Sequence, residues 1–461
     1  MVSAISTLIG EELRKYDKWS RTLAAPNGYL YGLPNCFRRV AKFNPIDKCI
    51  TIIGPDFGNG WKWLKGAMTD SGVIYCPPRL SNNRHILKID TNTDTVTVLN
   101  ANLLLLEEDW VLGLSIRMWE SCALALDGCI YCMPADGRHI LKLDPNNGDP
   151  IISNVGHDLG RGINKYRGTV VGIDGCVYGI PYKSKRILKY DPINNITSFV
   201  GNLNIAPFVG NLKCSGNGVL GRDGCIYALD KYGGVLKIDT THNSHCFVGN
   251  TVESSHRGIG WSDGTLGIDG CIYWPPSNAT HILKYDPHSN LTSLVGDDLG
   301  HGILKWSGAC TVPDGIIYCL PGRASRILAI DPLKEYTLSL KNNMEEHPEN
   351  FGCLFTLAMT FPMTQTLIGK LKTLAKRKHR NSSDHIPKDT NFDRAVTKFG
   401  QKKVLELLDE CMCPIDRVCT VSNFHPFMIA ASCKNSRVCV IYHFLRQMPS
   451  FANCTNRFSN V

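Results

Sequence analysis

Six basic residues recur in one slot of this 461-residue chain. Arg39, His85, His139, Arg186, His281 and Arg326 each head a short apolar run of the Ile-Leu-Lys kind. Gathered on one rim, they would form a ring for an anionic ligand or an acidic partner. A second reading ties them structurally to the carboxylates of the Asp-Leu-Gly segments, Asp158 and Asp298. The structural reading is preferred, because ion pairs also perturb charge without serving function. His157, His256 and His301 have the chemistry of metal ligands or general bases, but only convergence in space would promote them. The segments starting at Gly54, Gly156 and Gly296 carry Gly-x-Gly, whose backbone N–H groups could approach an anion. No strand-to-helix context follows them, so the plain reading is positive φ at a tight crossing.

The 20 cysteines suggest a disulfide framework until their positions are read. Cys129, Cys176, Cys225 and Cys271 stand two residues before a recurring tyrosine, and Cys76, Cys132 and Cys319 directly after it. Cysteines in phase within successive strands are small buried hydrophobes, and reduced thiols are expected. Cys411 and Cys413 lie one residue too close for a paired zinc-ligand pattern, so no metal and no cofactor are expected.

The elements that must position these residues are repeats. Tyr31, Tyr75, Tyr131, Tyr178, Tyr227, Tyr273 and Tyr318 mark seven units between Trp19 and Leu340. A period in the forties with several strand-like runs per unit is a propeller signature. The unit from Lys165 to Gly201 reads as four strands. They are Gly168 to Ile173, a hairpin at Asp174-Gly175, Cys176 to Ile180 ended by Pro181, Arg186 to Tyr190, and Ile196 to Val200. Trp19, Trp63, Trp119, Trp261 and Trp306 recur in phase and are assigned to the core. Lys88, Lys142, Lys189, Lys237 and Lys284 are expected to lay their stems on apolar surface with the ammonium in water. The second unit carries an insertion around Leu103 to Met118, and the fifth is shortened near Tyr232 to Gly234.

With these motifs in place, the chain resembles kelch-type blades of the galactose oxidase-like superfamily, through Gly-x-Ile-Tyr and Tyr-Asp-Pro. Prolines stand where that family has paired glycines. It is also similar to streptogramin lyase-type propellers, through Asp-Gly-x-hydrophobic-aromatic followed by Ile-x-x-hydrophobic-Asp. Either resemblance implies an all-β fold, a seven-bladed β-propeller of four-stranded antiparallel blades. Neither a lyase His and Glu constellation nor an oxidase copper-ligand set can be carried over residue by residue.

The expected organisation is a lead over 1–15, the propeller over 16–341, a closing segment and basic linker over 342–390, and a small helical region over 391–461. Phe351 to Phe361 reads as one more strand or a buried segment that could help close the ring against the first blade, and the helical region faintly resembles an ankyrin repeat opening. Hydrophobic content of 43% and charged content of 20% fit an ordinary globular protein, and the formal charge of +9 owes much to Lys370 to Arg380. No run has the length to cross a bilayer and the N-terminus lacks a secretory pattern, so the expected address is cytoplasmic or nuclear. The expected function is a non-catalytic protein-interaction or scaffolding module with its ligand on the loop face. The alternative is a metal-assisted lyase or hydrolase at the mouth of the central channel. Protein partners are expected, no membrane, and nucleic acid only through Lys370 to Arg380.

Overall fold

The computed structural model describes residues 5–13, 18–78, 85–100, 117–145, 150–201, 213–214, 216–231, 233–250, 252 and 259–334. The expected closing strand, basic linker and helical region, His256, and all of the second-unit insertion except Arg117 and Met118 lie outside these residues. The described strands form seven four-stranded antiparallel sheets. Blade one is Trp19–Ala24, Leu30–Pro34, Val40–Asn44 and Cys49–Ile53; blade four is Tyr166–Val171, Val177–Pro181, Ile187–Asp191 and Ile196–Val200. Each expected strand of blade four is present within two residues of its reading.

Blade seven is the exception in chain order. Its first three strands are Cys310–Thr311, Ile317–Cys319 and Ile327–Ile330, and its outermost strand is Ser6–Ile9, from the stretch read as a lead. Ser6 pairs with Ile330 and Ile9 with Ile327. An outer strand from the N-terminus on a blade from the C-terminal end of the repeat closes the ring. The neighbouring blade confirms the slot. Gly296 ends blade six at φ 82°, and a Cβ there would fall 2.7 Å from Ser6 Oγ. Glycine is therefore required on both steric and conformational grounds.

The core consists of layers between adjacent blades. One joins Tyr178, Ile180 and Ile187 of blade four to Ile226, Leu236 and Ile238 of blade five; another joins Leu320 and Ile327 to Leu30 and Phe43 across the ring closure. Strand two is buried on both faces, so every residue of Leu30–Pro34 and Val177–Pro181 is buried. This explains the continuous apolar runs there, each fully buried large side chain contributing about 1.5–3 kcal/mol. The thirteen described cysteines are all free, and Cys129, Cys176, Cys225 and Cys271 are buried as read. Burial pushes the Cys129 and Cys176 thiols up to about 11, so neither is a nucleophile near neutral pH.

The antiparallel order gives the ring two faces. The turns joining strands one to two and three to four lie on one, here the hairpin face; the loops joining strands two to three, and each blade to the next, lie on the other, the loop face. On the hairpin face a Tyr–Asp–Lys unit repeats. Tyr131 donates to Asp127, Tyr178 to Asp174, Tyr227 to Asp223 and Tyr273 to Asp269, at 2.7–2.8 Å. Strand register sets Lys142, Lys189, Lys237 and Lys284 opposite those tyrosines. Their ammonium groups reach the same aspartates at 3.9, 2.9, 3.1 and 3.2 Å. This corrects the expectation that these ammonium groups point to water: the cross-strand register delivers each to a carboxylate.

Blade one has Asn27 where blades three to seven have the hairpin aspartate. Its tyrosine and lysine instead meet Asp94 of blade two, Tyr31 at 2.8 Å and Lys42 at 2.5 Å. Asp94 occupies the left-handed turn slot, at φ 57°, where blades four, five and six have Asn195, Asn243 and Asn290. The carboxylate has moved from one blade to its neighbour, and the contact survives.

Candidate functional site

The rim of the loop face is fixed by the in-phase aromatics. Each tryptophan faces the proline that ends strand two: Trp19 and Pro34, Trp63 and Pro78, Trp119 and Pro134, Trp261 and Pro276, Trp306 and Pro321. Their indole N–H groups donate to the backbone carbonyls of Arg39, His85, His139, His281 and Arg326, at 2.8–3.2 Å. The recurring basic residues thus serve the rim first through their backbones. Blade five lacks both partners, and Cys214 faces Asp230 there.

The side chains of Arg39, His85, Arg186 and Arg326 are exposed on this rim, and those of His139 and His281 are half-buried. Arg186 stands over the Phe199 ring, 5.2 Å from its centroid. A tie to a loop carboxylate of the expected kind is seen at Asp158, and at Asp56, but from the residue before the recurring basic slot. Arg138, not His139, pairs with Asp158, and Arg38, not Arg39, with Asp56 at 2.7 Å. These residues lie in the bend before strand three, so loop geometry sets the pairing. Asp158 is held well below the usual carboxylate range by Arg138 and by the Gly160 N–H. Asp298 sits in the blade-seven counterpart and accepts from the Gly300 N–H at 2.8 Å.

These three inter-blade loops share one closed construction. Asp56, Asp158 and Asp298 accept from the N–H groups of Gly58, Gly160 and Gly300, so those N–H groups are not directed at an external anion. From inside, Lys62 donates to the carbonyls of Gly58 and Gly60, Lys165 to Gly160, and Lys305 to Ala279 and Gly300. Burial pushes the Lys62 and Lys305 ammonium groups down from the usual range. Positive φ at Gly58, Gly160 and Gly300, between 69° and 72°, bears out the tight-crossing reading. His157 and His301 are exposed on these loops. Among the described residues, no group of three or more His, Cys, Asp or Glu is placed to hold a metal ion.

Inside the rim, the inner strands bring together charged residues that the sequence reading left out. The register skips after the aromatic in three blades: from Trp19 to Thr22, Trp119 to Ser121 and Tyr166 to Gly168. Such bulges re-aim side chains, and the skipped residues include Arg21, Glu120 and Arg167. Arg167 lies 3.1 Å from Glu120, which also binds Arg117 at 3.2 Å. Lys65 of blade two reaches Asp263 of blade six and Asn217 of blade five, both at 3.0 Å, and Ser121 of blade three donates to Asn217 at 2.8 Å. Partners from blades two, three, five and six can meet only near the ring axis.

Lys65 and Asp263 are 9% and 5% exposed, so this is a buried ion pair. Burial pushes the Lys65 ammonium below its ordinary range, and Asp263 opposes that shift. Arg21 faces the other Asp263 oxygen at 3.6 Å, and that oxygen has no hydrogen-bond partner. Chemically the arrangement is an ion-pair network with cations in excess, in which each carboxylate is held between two cations. A signal for it existed in the sequence. Arg21, Lys65 and Asp263 each stand two residues after an in-phase tryptophan, in or just before strands that should be apolar.

No protein-family model matches this chain, and no curated protein matches it in sequence. Solved structures do resemble it in fold. A catalytically inactive histidine-to-alanine variant of virginiamycin B lyase from Staphylococcus aureus, with quinupristin, superposes with TM-score 0.54 at 11% identity, covering 71% of this chain and 99% of that one. A streptogramin B lyase gives 0.54 at 13% identity, with 70% and 97% covered. The WD40 propeller domain of Doa1 gives 0.50 at 10% identity, with 71% and 98% covered. At these identities the likeness is one of fold: the chain is a seven-bladed β-propeller, similar to lyase and WD40 propellers, and kelch type is not shown.

Proposed function

We propose that this propeller is a non-catalytic interaction module that presents its loop face to an acidic region of a protein partner. The observation that carries this reading is the polarity of strand three. In five blades it runs from a basic residue on the loop face to an aspartate on the hairpin face: His85 to Asp90, His139 to Asp144, Arg186 to Asp191, His281 to Asp286 and Arg326 to Asp331. The loop-face aspartates Asp56 and Asp158 are neutralised by Arg38 and Arg138, and the axial carboxylates by Lys65, Arg21, Arg117 and Arg167. Among the described residues outside those pairs, the exposed cations Arg39, Arg161, Lys183, Lys185, Arg186 and Arg326 outnumber the exposed acids Glu11, Glu12, Asp297 and Asp298 on that face, and a surface with basic excess steers acidic partners.

The test is co-purification from cells with full-length protein. Proteins retained by the wild type should be lost from an Arg39→Glu, Arg326→Glu variant and kept by an Asp191→Lys variant on the opposite face. Retention that ignores the loop-face pair would contradict the reading. The alternative, a metal-assisted lyase or hydrolase at the channel mouth, draws on the fold likeness alone. Among the described residues, the charged groups of the axial network are engaged with one another.

A further inference from the structure

A groove of about 540 Å³ opens between the inter-blade loop that leaves blade three and the loop joining strands two and three of blade four. Arg161 and Ile163 stand on one wall, Lys183, Lys185 and Arg186 on the other, and Phe199 below. Its walls are pinned to each other. Tyr182 N–H donates to the Lys165 carbonyl at 2.9 Å, Lys183 N–H to the Asn164 carbonyl at 3.0 Å, and His157 N–H to Thr197 Oγ1 at 3.1 Å. A ligand would therefore meet a preformed slot, with little ordering cost. Its one lining acid, Asp158, is paired with Arg138. Ile163 and Phe199 are 62% and 43% exposed, so apolar surface lies between the cations.

We infer that this groove is a docking slot for an extended acidic peptide segment of the partner, with aspartates or glutamates spaced around an apolar side chain. The charge pattern selects that occupant. Lys183, Lys185 and Arg186 present separated cations along one loop, matching carboxylates spaced along a chain. A compact phosphate would instead call for convergent backbone N–H groups, and the Gly160 N–H is already taken by Asp158 at 2.8 Å. The inference rests on the loop-face reading and narrows it to one junction.

The experiment is fluorescence anisotropy with full-length protein and a fluorescein-labelled peptide of alternating aspartate and leucine. Saturable binding should weaken as salt rises from about 50 mM to about 200 mM. Lys183→Glu with Lys185→Glu should lower affinity by about tenfold or more, with an unchanged melting temperature since both side chains are exposed. Lys48→Glu, on the hairpin face, should bind as the wild type. Equal binding by the double variant, or absence of saturable binding, overturns the slot. A phosphoserine-leucine peptide binding about tenfold tighter overturns the choice of carboxylates over phosphate. If the slot fails while Arg39→Glu, Arg326→Glu still abolishes partner retention, the loop-face reading stands without it. If the slot holds while retention ignores that pair, the wider reading falls.

Discussion

The two faces of the ring are built from the same strands and end in opposite chemistry. The hairpin face repeats one Tyr–Asp–Lys unit in four blades, and in the first blade the unit borrows its carboxylate from the next. The loop face repeats its backbone anchors, yet its side chains differ from blade to blade. Repetition on one face fixes blade spacing; variation on the other, above an axial ion-pair network, leaves a surface to be specialised. Propellers put function in loops of this kind.

The largest effect should come from the axis. Asp263→Leu leaves Lys65 buried without its carboxylate, and breaking a buried pair on one side costs about 3–5 kcal/mol. Urea denaturation should show it, and a loss under about 1 kcal/mol would mean that the network is better solvated than its burial indicates.

The next effect is a pH dependence carried by the hairpin-face carboxylates. Burial pushes Asp174 and Asp223 upward, but hydrogen bonds from Lys189 and Tyr178, and from Tyr227 and Lys237, outweigh it and hold both below the ordinary carboxylate range. The folded state then binds fewer protons than the unfolded state near the unfolded pKa, about 3.9. Stability contributed by these groups is present above that value and disappears as pH falls through the folded values. The urea midpoint should be flat down to about pH 5 and drop below about pH 4, less steeply in an Asp174→Asn, Asp223→Asn variant. An unchanged slope in that variant would place the acid sensitivity elsewhere.

A smaller effect tests the moved carboxylate. Asp94→Asn alone should cost about 1 kcal/mol through the lost Tyr31 and Lys42 contacts. Adding Asn27→Asp should recover most of it, with a coupling of about 0.5–1 kcal/mol in a double-mutant cycle. Additive losses would show that the two slots do not exchange. The smallest expected change in stability is at the groove: Lys185→Glu should stay within about 0.5 kcal/mol of the wild type.

Much of the fold was legible because strand two, buried on both faces, leaves a recurring apolar run and tight turns demand Asp-Gly. The tyrosine slots, the hairpins and the phase-locked cysteines all follow from that. Ser6–Ile9 was hidden because four residues carry too little pattern, and its place is set by pairing with Ile330 more than 300 positions away. The pairing of Asp158 with Arg138 was read one position late because it is decided in the bend before strand three, where no strand pattern applies. Arg21, Lys65 and Asp263 were passed over because a residue beside a core tryptophan reads as core, and bulges that turn charges toward an axis have no local signature. The loop-face cations Lys183 and Lys185 were equally unremarked; only the fold places them across a groove from Arg161.

The most direct test of an interaction surface on the loop face is site-specific photocrosslinking in living cells. A photoreactive amino acid would replace Lys185 on the loop face or Ile193 on the hairpin face, both exposed. The account predicts a discrete protein adduct from position 185, lost when Arg39 and Arg326 are also changed to glutamate, and none from position 193. Adducts of equal yield from both positions, or from 193 alone, would contradict it.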